Sequence, residues 1–293
     1  MGVDILGNII LNTVVLSFMY IIAALGFAFI FNMMGALNFA HGAFVMVSAF
    51  LCYFVSRWLG ISNWGALLIT VAIMAMVGIV MERAVFRPFM DNMNGGIMIA
   101  VALITIAQTI FTITAGSLEI ISDSFLKGRT TLFGVPVSNE KLLISIIGLA
   151  LLVAVLIIVN KTALGRQMEA IAQDRVAAAL QGININKVSA IVCAIGLILA
   201  AVAGSLMGSL QRITPNMGDD MLIRILMVVM LAGAGSRSMN GLIITGFILG
   251  LLDSTLPIYI QGVAASALAA VIVLALVLIR PTGFFGHEFK EGA

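Results

Sequence analysis

Six stretches of this 293-residue chain carry no charged side chain: 5–56, 58–81, 92–118, 142–160, 188–211 and 254–279. A helix crosses the hydrocarbon core of a bilayer with about 20 apolar residues, so each run is long enough to span and the first is long enough to span twice. Between 221 and 258, Arg224, Arg237 and Asp253 interrupt the apolar pattern. Two further spans are read there, with a break at Ala232–Asn240. The expected fold is an all-α integral membrane protein: a polytopic bundle of about eight to nine transmembrane helices, with broken or re-entrant segments, forming one transmembrane domain over 1–293.

Composition excludes most other classes. The chain is 62% hydrophobic and 10% charged, with a mean hydropathy of +1.19, whereas a soluble domain carries about a quarter charged residues. A net charge of +2 gives nucleic acid no electrostatic footing. Cys52 and Cys193 lie inside apolar runs and read as small core hydrophobes rather than a disulfide or metal pair. No His, Cys, Asp and Glu stand at metal-ligand spacing, and no paired catalytic constellation is visible, so the chain is read as a non-enzyme without a metal. The apolar start lacks a basic leader and is read as a retained span.

Positive charge orients such a bundle, because Lys and Arg collect in cytoplasmic loops. The 82–91 loop holds Arg83 and Arg87, the 161–187 loop holds Lys161, Arg166, Arg175 and Lys187, and the C-terminal end holds Arg280 and Lys290. Even numbers of spans separate these three, which places them on one side, expected to be the cytoplasm. The 119–141 loop is then outside, although it carries Lys127, Arg129 and Lys141 beside Glu119, Asp123 and Glu140. An odd span count puts the N-terminus outside.

The charged stretch between the spans 142–160 and 188–211 is the strongest clue to a partner. From Arg166 to Gln181 most residues are strong helix formers. Leu164, Met168, Ile171 and Ala172 recur at helical spacing as a narrow apolar stripe, with Arg166, Glu169, Gln173 and Asp174 largely off it. Gly182 is placed to end the helix in a left-handed conformation. A helix over about 162–183 either lies on lipid headgroups or docks in a groove on a cytosolic partner.

The residues of this stretch carry a resemblance. Leu164-Gly165-Arg166, Ala170-Ile171-Ala172-Gln173-Asp174-Arg175, Ala177-Ala178 and Gly182-Ile183-Asn184 resemble the cytoplasmic loop of the ABC importer permeases for branched-chain and other hydrophobic amino acids. Gly35-Ala36-Leu37-Asn38-Phe39-Ala40-His41-Gly42 looks like the signature in that family's first third. Glu82-Arg83 with Arg87-Pro88 is similar to its first cytoplasmic loop, and Gly233-Ala234-Gly235-Ser236 with Gly241, Gly246 and Gly250 to its Gly-rich late segment. Arg280-Pro281-Thr282-Gly283-Phe284-Phe285-Gly286 resembles its C-terminal signature.

The resemblance implies a multi-pass permease of the bacterial inner membrane with its C-terminus in the cytoplasm. It also implies a second permease subunit, identical or homologous, two cytosolic ATP-binding subunits and a periplasmic substrate-binding protein. The chain has no G-x-x-x-x-G-K-[ST] phosphate loop, so ATP is expected on partner subunits and no cofactor on this one. Leu164, Gly165, Arg166, Met168, Ala170, Ile171 and Gly182 are the expected ATPase-coupling residues. A urea or short-amide permease of the same class and an ion-coupled secondary carrier are the rival readings.

Polar residues at membrane depth mark the candidate pathway, since non-helical backbone there survives only inside protein or along a wet cavity. Two breaks are expected, at Asn32–Gly42 and Ala232–Asn240. Asn38, His41, Gln108, Gly233, Gly235, Ser236 and Asn240 are the candidate pathway residues. Each also has a plain structural role open to it, as a hydrogen bond or a close packing site. Gly246 and Gly250, four apart, fit close helix packing better. Arg224 and Asp253 are charges placed where bilayer insertion costs roughly 2.5–3.5 kcal/mol each, and they are expected to pair with each other or to stabilise nearby helix ends.

Overall fold

The computed structural model describes residues 2–34, 38–89, 93–116, 119–132, 135–233, 239–260, 263–280 and 283–284. The helices are α1 (Gly2–Met34), α2 (His41–Leu59), α3 (Asn63–Met81) and α4 (Met93–Ala115), then α5 (Asn139–Lys161), α6 (Ala163–Gln173) and α7 (Arg175–Leu180), then α8 (Ile185–Leu210), α9 (Met217–Ala232), α10 (Met239–Tyr259) and α11 (Val263–Ile279). Among the described residues, α1, α2, α3, α4, α5, α8 and α10 are long and apolar enough to cross a membrane, while α11 is apolar but shorter. The chain is therefore a multi-pass membrane protein. The 221–258 region does hold two helices, α9 and α10, and α9 begins with Asp219 and Asp220 in its first turn.

The chain folds as two compact units, each discontinuous in sequence. The larger comprises 25–125 and 150–222, and its centre is α8. Val192, Cys193, Leu197, Ala200, Ala201, Ala203 and Leu206 of that helix are buried, with α2 and α3 packed on either side of it. Small residues let these backbones approach closely, which is how helices associate where lipid removes the hydrophobic drive. A Cβ on Gly26 of α1 would stand 2.6 Å from the Gly196 carbonyl oxygen, and one on Gly196 would stand 2.9 Å from that of Gly26.

The smaller unit comprises 1–24, 126–149 and 223–293. Here α10 lies against α1 along the glycines that the sequence marks for packing. A Cβ on Gly246 would reach within 2.3 Å of Ile21 Cγ1, and one on Gly250 within 2.2 Å of Ser17 Oγ. Phe18 and Phe247 meet edge to face between the same helices.

A two-stranded antiparallel hairpin, β1 (Arg129–Leu132) with β2 (Val135–Ser138), departs from the all-helical expectation. It sits in the 119–141 loop, whose charges are partly engaged by local partners. Glu140 is buried and its Oε2 accepts from the Leu126 amide at 2.8 Å. Lys141 Nζ donates to Asn12 Oδ1 at 2.6 Å, and in the larger unit Glu119 pairs with Arg212.

Candidate functional site

The charged stretch folds as two helices rather than the single one that its propensities suggest. Asp174 interrupts it with extended backbone (φ −152°, ψ 109°), and its Oδ1 accepts from the amides of Val176 and Ala177 at 2.8 and 2.9 Å. An Asp in this role satisfies N–H groups that a helix start otherwise leaves orphaned, so α7 begins anew two residues after α6 ends, with only Asp174 between them. Gly182 closes α7 as the sequence predicts. Its φ is +84°, its amide donates to Ala179 O at 3.0 Å, and Ile183 N donates to Ala178 O at 3.1 Å.

The start of α6 is a tight corner. Thr162 caps it, accepting from Gly165 N at 3.4 Å while its hydroxyl donates back to Ile158 O in the last turn of α5 at 2.6 Å. A Cβ on Gly165 would lie 1.9 Å from the Val159 carbonyl oxygen. No other residue fits there without moving backbone, so the orientation of α6 on α5 is fixed by a missing side chain.

The apolar stripe faces the protein itself. Met168 and Ile171 are buried, as is Gly165, while Leu164 and Ala170 are half-buried and Arg166 and Gly182 are exposed. The outward apolar surface is instead Val176 and Leu180 of α7, 71% and 85% exposed. Their i, i+4 spacing is a signal present in the sequence. The stretch therefore exposes Arg166, Val176 and Leu180, carried on a buried footing of Gly165, Met168 and Ile171.

The candidate pathway residues fall in different settings. Asn38 and His41 are buried in the turn that starts α2. Asn38 Oδ1 accepts from Ala40 N at 3.1 Å, and its backbone carbonyl accepts from His41 N at 3.1 Å. The His41 ring stands edge-on to Phe27 and against Gly26. Gln108 of α4 donates to Asp219 Oδ2 at 2.8 Å, a partner in the first turn of α9 that sequence reasoning missed. The face of α4 carrying Thr105, Thr109 and Thr112 is exposed. Gly233 is buried at the end of α9 with φ +107°. Gly283 and Phe284 pack on the end of α9: a Cβ on Gly283 would stand 2.4 Å from Gly233 Cα, and Phe284 N donates to Leu231 O at 2.9 Å. Asn240 is exposed in the first turn of α10. Gly235 and Ser236 lie outside the described residues.

Arg224 and Asp253 pair, as bilayer energetics require of charges at such positions. Arg224 Nε donates to Asp253 Oδ2 at 2.8 Å, and Tyr20 Oη donates to the same oxygen at 2.7 Å. The Arg224 guanidinium also stands 5.9 Å from the Tyr20 ring centre. Among the described residues no three of His, Cys, Asp and Glu are grouped to hold a metal ion. These groups position helices and offer hydrogen bonds.

Comparison with known proteins fits this arrangement. The profile of the family described as branched-chain amino acid transport system, permease component, matches residues 9–280. The high-affinity branched-chain amino acid transport system permease protein LivH of Escherichia coli (strain K12) is 27% identical over 296 residues, covering 96% of this chain and 95% of its own. BraD of Pseudomonas aeruginosa, a permease protein of the same printed description, is 25% identical over 291 residues and 93% of each chain. A probable branched-chain amino acid transport permease of Methanocaldococcus jannaschii is 24% identical over 302 residues. The solved structure of PsaBC from Streptococcus pneumoniae in complex with Fab shares the fold, with a TM-score of 0.54 over 95% of both chains at 13% identity.

Proposed function

The chain belongs to the family of permease components of branched-chain amino acid transport systems, and from that premise we propose how it works. It is the membrane-spanning subunit of an ATP-driven importer for branched-chain amino acids, embedded in the bacterial inner membrane with its C-terminus in the cytoplasm. A second permease subunit, two cytosolic ATP-binding subunits and a periplasmic substrate-binding protein complete the importer. Energy enters from those ATP-binding partners, because the sequence has no phosphate loop of its own.

The observation that carries this reading is the α6–α7 pair. An exposed apolar pair on a short helix is the kind of surface a groove on another protein buries. The pair is joined to the membrane helices without slack: α5 ends at Lys161 two residues before α6, and α8 begins at Ile185 three residues after Gly182. Closure of the ATP-binding partners would push α6–α7 as one body, and the shift would pass into α5 and α8.

For the pathway, Gln108, half-buried on α4, and Asn240, exposed in the first turn of α10, are the candidate hydrogen-bonding side chains, with Gly233, Gly235 and Ser236 kept as candidate pathway residues. Asn38 and His41 fix the start of α2.

The test is co-purification followed by uptake in liposomes. The wild-type chain should bring down an ATP-binding partner and import branched-chain amino acids when supplied with ATP and the binding protein. Gly165→Glu and Ala170→Glu should reach the membrane and lose ATP-driven uptake. Normal uptake by both variants would remove the coupling role from this stretch, and uptake driven by an ion gradient without a partner would remove the ATP-driven reading altogether.

A further inference from the structure

The turn after α3 holds an ion pair between a buried carboxylate and a half-buried guanidinium that the coupling and pathway roles above leave unused. Residues Glu82–Phe86 form a π-helical turn, followed by a 3₁₀ turn at Arg87–Phe89. Wide turns of this kind are rare and concentrate at functional sites. Glu82 is fully buried. Arg87 grips it with both arms: Nε donates to Oε1 at 3.1 Å and an Nη donates to Oε2 at 2.6 Å. That geometry is the strong, planar form of the interaction.

The same Arg87 Nη also reaches the Asn186 carbonyl oxygen at 3.4 Å. Asn186 lies in the first turn of α8, beside Asn184, whose Oδ1 caps that helix by accepting from Lys187 N at 3.0 Å. Asn184 follows the Gly182–Ile183 closure of α7. A continuous line of hydrogen bonds and short covalent steps thus runs from α7, through the α8 cap, to Arg87 and then Glu82 at the end of α3. All of it lies within the larger unit.

We propose that Arg87 is a positioning residue for transport: its fork on Glu82 and its bond to Asn186 form a strut that carries displacement of α6–α7 into α3. This rests on the coupling role proposed above and assigns a second output to it, beyond the direct connections to α5 and α8. The physical case is stiffness. A buried carboxylate held by both arms of one guanidinium has a single arrangement, and breaking it strands a buried charge. The π-helical turn sets Arg87 five residues beyond Glu82 with both side chains on the same side, which places the fork between α3 and the α8 cap.

The experiment uses the assembled importer in liposomes with its binding protein. Arg87→Lys keeps the positive charge beside Glu82 but loses the fork and the reach to Asn186. It should assemble, retain ATP hydrolysis, and hydrolyse at least about fivefold more ATP per substrate imported than wild type, the scale of an ordinary coupling free energy. Glu82→Gln keeps an acceptor for Arg87 and should show a smaller rise in the same ratio.

A merely structural role lowers hydrolysis and uptake together and leaves their ratio unchanged, so a wild-type ratio in the assembled variants overturns the strut. If Arg87→Lys does not assemble, Glu82→Gln alone is read against the same criterion; if neither assembles, the pair is structural and the proposal fails. Loss of ATP-driven uptake by the wild-type complex would instead count against the importer reading itself.

Discussion

Arg224 and Asp253 join α9 to α10 through one carboxylate oxygen: Asp253 Oδ2 accepts from Arg224 Nε at 2.8 Å and from Tyr20 Oη of α1 at 2.7 Å. Three helices of the smaller unit therefore meet at a single atom. Asp253 is 10% exposed and Arg224 24%, so each charge depends on the other to remain in an apolar setting. Removing one partner of a buried pair costs about 3–5 kcal/mol, because the survivor is stranded. Asp253→Asn and Arg224→Gln should each lower the thermal unfolding temperature in detergent, while the double variant should lose less than the sum of the two. A coupling of about 1–3 kcal/mol is the expected non-additivity for residues in direct contact; additive losses would show that the pair contributes nothing jointly.

Tyr20→Phe should have a smaller cost. It deletes one hydrogen bond to a charged acceptor, worth about 1.5–3 kcal/mol, and leaves the ring and the ion pair in place. The loss should disappear in an Asp253→Ala background, which has no side-chain acceptor, and a full-size loss there would assign the effect to ring packing instead.

At the α5–α6 corner, Gly165→Ala places a methyl 1.9 Å from the Val159 carbonyl oxygen. Backbone cannot yield as a side chain does, so α6 has to swing away. Overpacking of this kind costs roughly 1–3 kcal/mol, too little to remove the protein from the membrane. Uptake should fall severalfold at unchanged membrane abundance. Gly182→Ala, strained by its φ of +84° but open around its Cβ, should act more weakly, and equal effects at the two glycines would deny the corner its special role.

Much of this was legible in the sequence for a simple reason. A bilayer leaves few options, so charge-free runs mark spans and the charges between them mark loops. The same rule left Arg224 and Asp253 either to pair or to stabilise nearby helix ends, and the structure shows the pair. Tyr20 does not follow from it, since it lies 233 residues from Asp253 and only tertiary packing brings it close. The direction of the apolar stripe was illegible too: Leu164, Met168 and Ile171 form a helix face whether they meet a partner or their own chain. The break at Asp174 had a local signal, an Asp with capping preference, but strong helix formers on both sides mask it. The β1–β2 hairpin rests on two four-residue strands, one holding Pro136, too short to stand out from a loop.

Val176→Asp and Leu180→Asp test the outward face of α7 directly. Both side chains are largely exposed, so membrane insertion and thermal stability of the permease alone should stay within about 0.5 kcal/mol of wild type. Binding of the ATP-binding partner should suffer far more. Apolar residues that anchor an interface cost about 2 kcal/mol or more on truncation, on the order of 30-fold in affinity, and a buried charge adds to that. Pull-down of the partner by a tagged permease should drop sharply for the double variant, and an undiminished pull-down would move the docking surface back toward Arg166 and Ala170.

Asp174→Ala separates the two helices' roles. The side chain holds the amides of Val176 and Ala177, and losing an N-cap costs about 1 kcal/mol. A six-residue helix has little else to hold it, because isolated helices this short are marginal in water. Amide exchange at Val176 and Ala177 should therefore accelerate, by roughly fivefold for 1 kcal/mol, while the amides of α6 keep their protection. Asp174→Asn retains an acceptor and should restore most of the difference. Partner binding should follow the exchange data across the three sequences, strongest with Asp and weakest with Ala. Faster exchange at unchanged partner affinity would show that α7 is folded by the partner on contact and need not be preformed.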